Sequence, residues 1–422
     1  SGNSSGGAIN YESWGGLLLD GCTFTGNSAT GVNAKGGALY TKGKELTIKD
    51  CTFTGNTAGW KGGAIYSESL EPVFTGKVIV KNNTSEDIFY TVDGKVENNV
   101  DLGNGNVIVT DDGFNASASS IGITSDTVPA LVVKNKTNTA GFFCDNSDFY
   151  LKPTDSGLEI WHSGKNHKHC VCGTGQCNVD GHKHAAEKWI GVTTLRNLPA
   201  GNYFLLDNIN AQWEPKEDIN LCLNGKGIYS STSYNDGIIT ISNKNNIAVT
   251  DCSENETGNI YDPYSSNFGR GVWVASDASF TLWRGKIRNV WANTSSYASS
   301  GYYNGGGVYV TGGKFTMNGG SISKATSYKG NGGGVYVDSG EFIMNGGTIT
   351  GCKAVNGGAV YFRTGKITLN GGAITNSKAT ENGGGVYINS VSFSSVWDSS
   401  SRSYIYTYVP AAINNVAITG NS

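Results

Sequence analysis

Short runs in which apolar and polar residues alternate recur through this chain. Val308-Tyr309-Val310, Phe315-Thr316-Met317 and Ser321-Ile322-Ser323 are three successive examples, each set off by glycine. A period of two over so few residues predicts strands too short to bury a face on their own. They repeat, however. Gly-Gly-(Ala/Gly)-aliphatic-(Tyr/Asn) stands at 6–10, 36–40 and 62–66, and again at 305–309, 332–336, 357–361 and 383–387, a period of about 26 residues. A second marker keeps step with it: Met317-Asn318-Gly319-Gly320, Met344-Asn345-Gly346-Gly347 and Leu369-Asn370-Gly371-Gly372. Three short strands per unit, stacked on copies of themselves, close three parallel sheets around one continuous core. The expected fold is all-β, a right-handed parallel β-helix.

The alternation also assigns faces. Val308, Val335, Val360 and Val386 are expected inside, with Val310, Val337, Phe362 and Ile388. Tyr309, Tyr336, Tyr361 and Tyr387 then point outward in one column, and Asn10 at the equivalent place in the first repeat agrees, because an amide is costly in an apolar core. Such a column can stack on sugar rings or serve as cross-coil packing. Lys314, Glu341 and Lys366 fall in another column with alternating sign.

Composition narrows the class. Of 422 residues 61 are Gly, only 7 are Pro and 15% are charged, which excludes collagen, coiled coil and a disordered tail. Glycine suits the corners because it reaches φ > 0 and lets backbones approach closely. A net charge of −3 gives no footprint for nucleic acid, and no apolar run is long enough for a membrane-spanning helix.

Phe24-Thr25-Gly26-Asn27 and Phe53-Thr54-Gly55-Asn56, each followed by Gly-Gly-Ala, resemble the paired FxxN and GGA(I/L) motifs of the polymorphic outer-membrane protein (Pmp) repeat of bacterial surface adhesins. Residues 1–76 carry both halves. In 301–390 the GG(A/G)V half persists while the Asn column becomes Ala325, Cys352 and Ser377, closer to generic right-handed β-helix repeats of secreted bacterial proteins. The resemblance implies a pectin-lyase-like solenoid, an extracellular or cell-surface location, and a host surface protein or glycan as partner. The membrane barrel that ends autotransporter adhesins has no counterpart in these residues.

Pattern and composition divide the chain. Residues 1–160 read as the C-terminal part of a first β-helix module, regular over 1–76 and irregular over 77–160. Residues 161–188 form a Cys/His-rich junction. Residues 189–422 open a second module, irregular to 300 and regular from 301. Both termini stop at the same phase of the repeat, so further β-helix modules of a parent chain are expected on either side, or a head-to-tail filament.

All five His and three of the nine Cys lie in the junction. Cys170, Cys172 and Cys177 with His182 are the expected ligands of a structural Zn²⁺, and His167, His169 and His184 are alternates. A Cys172–Cys177 disulfide in an oxidising compartment is the competing reading. Cys22 and Cys51 occupy equivalent coil positions and read as a stacked ladder; Cys144, Cys222, Cys252 and Cys352 read as single core or turn positions.

Three functions fit such a scaffold. The favoured one is a non-enzymatic surface stalk or adhesin. Polysaccharide lyases and glycosidases also use β-helices, but Asp111-Asp112 and Glu217-Asp218 are adjacent pairs whose members point to opposite faces of a strand, so no catalytic residue is assigned. Thr-x-Thr entries at 23/25, 52/54 and 348/350 are interrupted by Ser321/Ser323 and Ala373, which argues against an ice-binding array.

Overall fold

The computed structural model describes residues 4–69, 71–86, 95–103, 106–173, 184–232, 237–263, 269–292, 304–390, 393–398, 400–408 and 410–422. It divides into two compact units, Ser1–Lys165 with Gly191–Thr194, and Asn166–Ile190 with Leu195–Ser422. The Cys/His segment therefore belongs with the second unit from Asn166 on, while His162 stays with the first. Each unit is a stack of parallel coils, so the chain is an all-β parallel β-helix solenoid.

In the first unit, Ile9–Tyr11, Gly16–Asp20, Thr23–Thr25 and Ser28–Ala29 pair in register with Leu39–Thr41, Glu45–Lys49, Thr52–Thr54 and Thr57–Ala58. A third coil, Ile65–Ser67, Val73–Thr75, Ile79–Lys81 and Thr84–Glu86, continues the same ladders. Each coil has one more strand than the pattern predicts. The extra one is only two residues long in the first two coils, and its Ala29 and Ala58 are too small to mark a strand by hydrophobicity. Leu46, Ile48, Phe53, Ile65 and Phe74 fill the core, and Phe24 stacks on Phe53 with centroids 4.5 Å apart. Beyond the third coil the hairpin Phe149–Thr154 and Gly157–His162 closes one sheet edge by pairing antiparallel with Ala130–Lys134. An edge so covered offers no parallel template to another chain.

The Asn of the FxxN motif starts a buried ladder. Asn27 Nδ2 donates to Asn56 Oδ1 (2.9 Å), Asn56 Nδ2 to Asn83 Oδ1 (2.9 Å), Asn83 Nδ2 to Asn99 Oδ1 (2.7 Å) and Asn99 Nδ2 to Asp145 Oδ1 (2.6 Å). The three asparagine oxygens also accept the backbone N–H of the preceding Asn, and Asp145 takes that of Asn99 on Oδ2.

In the second unit one column of core isoleucines, Ile228, Ile260, Ile287, Ile322, Ile349 and Ile374, runs through consecutive coils, each opposite the next. Phe280, Phe315 and Phe342 stack in another. Val308, Val310, Val335, Val337, Val360 and Phe362 are buried, on the face the alternation assigns. Two expected strands are one here: Val308–Met317 is a continuous ten-residue strand, bent at Gly312-Gly313 and shifting register there against Val335–Met344. Where the Asn column lapses, Cys352 N–H donates to Ser377 Oγ and Ser377 N–H to Asn421 Oδ1.

The tyrosines of the outward column stand opposite one another with ring centroids 5.4, 5.1 and 5.2 Å apart from Tyr309 through Tyr336 and Tyr361 to Tyr387. A strand spacing of about 4.8 Å brings rings on successive coils into stacking distance. Each ring covers its neighbour's face, leaving Tyr336 4% and Tyr361 9% exposed. Burial, reinforced by Asp338, pushes the Tyr336 hydroxyl well above the usual phenol range. Beside this column Glu341 pairs with Lys314 at 3.0 Å and Lys366 at 2.9 Å. Partial burial pushes its carboxyl up, but hydrogen bonds from the two ammonium groups outweigh that and hold it below the usual range.

Candidate functional site

Lys168–His169 pairs antiparallel with Glu187–Lys188, His169 opposite Glu187. Aromatic stacking fixes the two imidazoles next to this pair. His167 lies flat on Phe204 (3.8 Å, 2°), and His169 on Trp189 (4.4 Å), whose Nε1–H donates to the His169 carbonyl at 2.9 Å. Cys222 ends the strand Ile219–Cys222 opposite Thr250, and Cys252 follows two residues later, so both sulfurs sit at the same corner of successive coils. There they meet the imidazoles. His167 Nε2 is 3.1 Å from His169 Nε2 and 3.7 Å from Cys252 Sγ, and the donor atoms of His167, His169, Cys222 and Cys252 all lie within 4.8 Å of one another. His169 Nδ1 is 2.6 Å from the Cys170 carbonyl, which only accepts, so Nδ1 carries the proton and Nε2 offers a lone pair to the cluster. The thiol of Cys222 hydrogen-bonds to Cys252, and with the two imidazoles it draws the Cys252 pKa down; burial pushes that of Cys222 up.

A second group, Cys170, Cys172 and His184, also has its donor atoms within 4.8 Å, with Cys172 Sγ 3.6 Å from His184 Nδ1. Of the expected zinc set, Cys170 and Cys172 come together; Cys177 and His182 lie outside the described residues. Among the alternates, His184 joins that pair while His167 and His169 turn to the other group. Sequence reasoning missed Cys222 and Cys252. Their signal was positional: they lie about one coil apart, and a ligand pair shared by two coils takes that spacing.

The first unit holds a cavity of about 370 Å³ whose lining includes Trp60, Lys61, Asp101, Asp126 and Phe149. Asp101 is 1% exposed; its Oδ1 accepts from Gly103 N–H, and its Oδ2 has no hydrogen-bond partner among the described residues. Burial, then the charge of Asp126, raises its pKa from 3.8 to about 6. Tyr66, buried and under the field of Asp101, is pushed up to about 12. Because folded Asp101 holds a proton that the unfolded carboxyl releases, stability falls as pH rises from about 4 to about 6, by up to about 3 kcal/mol. Asp101→Asn removes that loss. The variant is expected to match the wild type at pH 4 and to exceed it by about 1–3 kcal/mol at pH 7 in urea unfolding. A difference independent of pH would show that the carboxyl is not the source.

The fold and the His/Cys corner define a stacked-coil solenoid carrying a partly buried His/Cys cluster. Residues 21–42 and 50–68 match the Chlamydia polymorphic membrane protein (Chlamydia_PMP) repeat. These two segments are Pmp-type repeats, and they make up a small part of the 422-residue chain. No curated protein and no solved structure matches the chain. Among the described residues, no helix is long and apolar enough to cross a membrane.

Proposed function

We propose that the chain is a non-enzymatic, extracellular part of a bacterial cell-surface adhesin, a β-helical stalk that presents a binding face to a host surface protein or glycan. The Pmp-type repeats at 21–42 and 50–68 carry this reading. The tyrosine column is a poor binding face, since its rings cover one another. A better one is the antiparallel pair Phe393–Asp398 and Ser403–Tyr408, where Trp397 stands opposite Tyr404 with centroids 5.1 Å apart. Trp397, Tyr404 and Ile405 are each 55% exposed, a cluster of the residue types that anchor interfaces. Binding of the labelled chain to host epithelial cells tests this. Trp397→Ala with Tyr404→Ala is expected to weaken binding about tenfold or more. Tyr336→Ser with Tyr361→Ser should lower stability and leave affinity unchanged. A hairpin variant that binds like the wild type, or a wild type that binds no cells, would overturn the proposal.

A second reading, a carbohydrate-active enzyme, draws support from the cavity, where a carboxyl with a raised pKa and two aromatic rings line one space. Asp101 would be the proton donor. Release of reducing sugar from a polysaccharide panel, abolished by Asp101→Asn, would favour it; no release would remove it.

A further inference from the structure

We propose that His167, His169, Cys222 and Cys252 form a closed zinc site, distinct from the Cys170, Cys172 and His184 group and independent of the adhesin reading. The chemistry of the donors selects the ion. Two imidazole nitrogens and two sulfurs are the set that tetrahedral Zn²⁺ takes in structural sites. Zn–N bonds of about 2.0 Å and Zn–S bonds of about 2.3 Å place tetrahedral edges at roughly 3.3–3.8 Å. The two edges formed by His167 Nε2, 3.1 Å to His169 and 3.7 Å to Cys252, lie near that range.

The surroundings fit as well. The hydrogen bond from His169 Nδ1–H to the Cys170 carbonyl is the outer contact that fixes the tautomer of a metal-binding histidine. Trp189, Phe204 and Cys222 form an apolar cluster with Val171, Leu206 and Cys252 packed against it, so water has little access. Both sulfurs bind as thiolates, any thiol proton leaving to solvent, and Zn²⁺ with two thiolates is neutral, which suits a dry site. Four protein donors leave no open position, so the ion is structural: it ties the 167–169 segment to two successive coils. A Cys222–Cys252 disulfide would use both sulfurs and leave two imidazole nitrogens 3.1 Å apart with no cation between them.

The test uses the whole chain made without a histidine tag in zinc-supplemented medium. Mass spectrometry of the metal is expected to find zinc in the wild type, one equivalent less in Cys222→Ser with Cys252→Ser, and that equivalent retained in Cys170→Ser with Cys172→Ser. Should the first double variant fail to fold, cobalt loaded into the second decides. Tetrahedral absorption bands with sulfur-to-cobalt charge transfer support the site, and their absence overturns it. The proposal also falls if zinc content is unchanged by Cys222→Ser with Cys252→Ser, if zinc-supplied wild type binds no metal, or if peptide mapping recovers Cys222 and Cys252 as a disulfide.

Discussion

Asn83→Asp is expected to destabilise the first unit by about 4 kcal/mol at pH 7 and by clearly less at pH 4. Asn83 is fully buried, and its amide works in both directions at once. Nδ2 donates to the carbonyls of Phe53 (3.1 Å) and Lys81 (3.0 Å) and to Asn99 Oδ1, while Oδ1 accepts both the N–H and Nδ2 of Asn56. Aspartate puts an anionic oxygen where Nδ2 was, against three acceptors that shared its two N–H groups, so both donors are lost and a charge is buried unpaired. Protonation returns one O–H donor. The introduced carboxyl therefore has a folded pKa above its unfolded value near 4. The charge penalty is absent below that pH and grows as pH rises toward the folded pKa. The ladder's own terminus shows where an acid is tolerated: Asp145 accepts from Asn99 N–H, Asn99 Nδ2 and Thr124 Oγ1 and has no further Asn to supply. Even there burial raises its pKa against all three donors. Asn27→Asp, at the half-exposed opposite end, should cost about 1 kcal/mol. Denaturant unfolding of both variants at pH 7 and pH 4 checks the pair. A small, pH-independent loss for Asn83→Asp would mean that water reaches the ladder.

Where the repeat is regular, residue pattern was enough to place side chains. Val308, Val335 and Val360 face the core and Tyr309, Tyr336 and Tyr361 the other side of the sheet because a period of two leaves no other arrangement; that the tyrosines bury one another by stacking was not legible from the alternation. Lys314, Glu341 and Lys366 met for the same reason. Where coil length changes, the pattern loses its phase. Asn99 and Asp145 extend the amide ladder at separations of 16 and 46 residues, neither of which is the repeat length. The Cys/His centre was half legible: clustering in sequence marked His167 and His169, but Cys222 sits between Leu221 and Leu223 and reads as core. It is core, and in the proposed zinc site a ligand too, because a solenoid corner is where core side chains of adjacent coils converge on whatever packs against them. Asp101 gave no signal at all, since nothing in Val100-Asp101-Leu102 distinguishes a buried carboxyl from a turn residue.

Gly37→Ala is expected to cost more than about 4 kcal/mol, whereas Gly26→Ala should cost about 1–2 kcal/mol. Both glycines stand at corners of the first unit, and composition alone cannot tell them apart. Gly26 has φ of +67° with nothing within 4 Å of an added Cβ, so alanine there meets only the intrinsic penalty of the left-handed conformation. In the Gly-Gly pair the two requirements are divided between neighbours. Gly36 takes the positive φ (+68°), and Gly37 does not need one. What Gly37 needs is room: a Cβ on it would fall 2.0 Å from the carbonyl oxygen of Gly63 and 2.6 Å from the carbonyl of Thr57. Gly63 opens the next coil and Thr57 lies at the end of the coil that Gly37 opens; both contacts are backbone, held by Gly37 N–H donating to the Gly62 carbonyl and Ala38 N–H to that of Ala64, so no rotamer change relieves the overlap. Gly7 against Gly37, and Gly358 against Gly384, repeat the contact at 2.2 and 2.4 Å. Relief therefore requires the coils to separate at this corner, which would stretch the ladder bonds on either side and open the core around Leu39 and Ile65. Circular-dichroism melts of the two variants separate the mechanisms. If Gly37→Ala melts like Gly26→Ala, the coil spacing is compliant and the second glycine of the motif is conserved in every repeat of this chain for some reason other than contact.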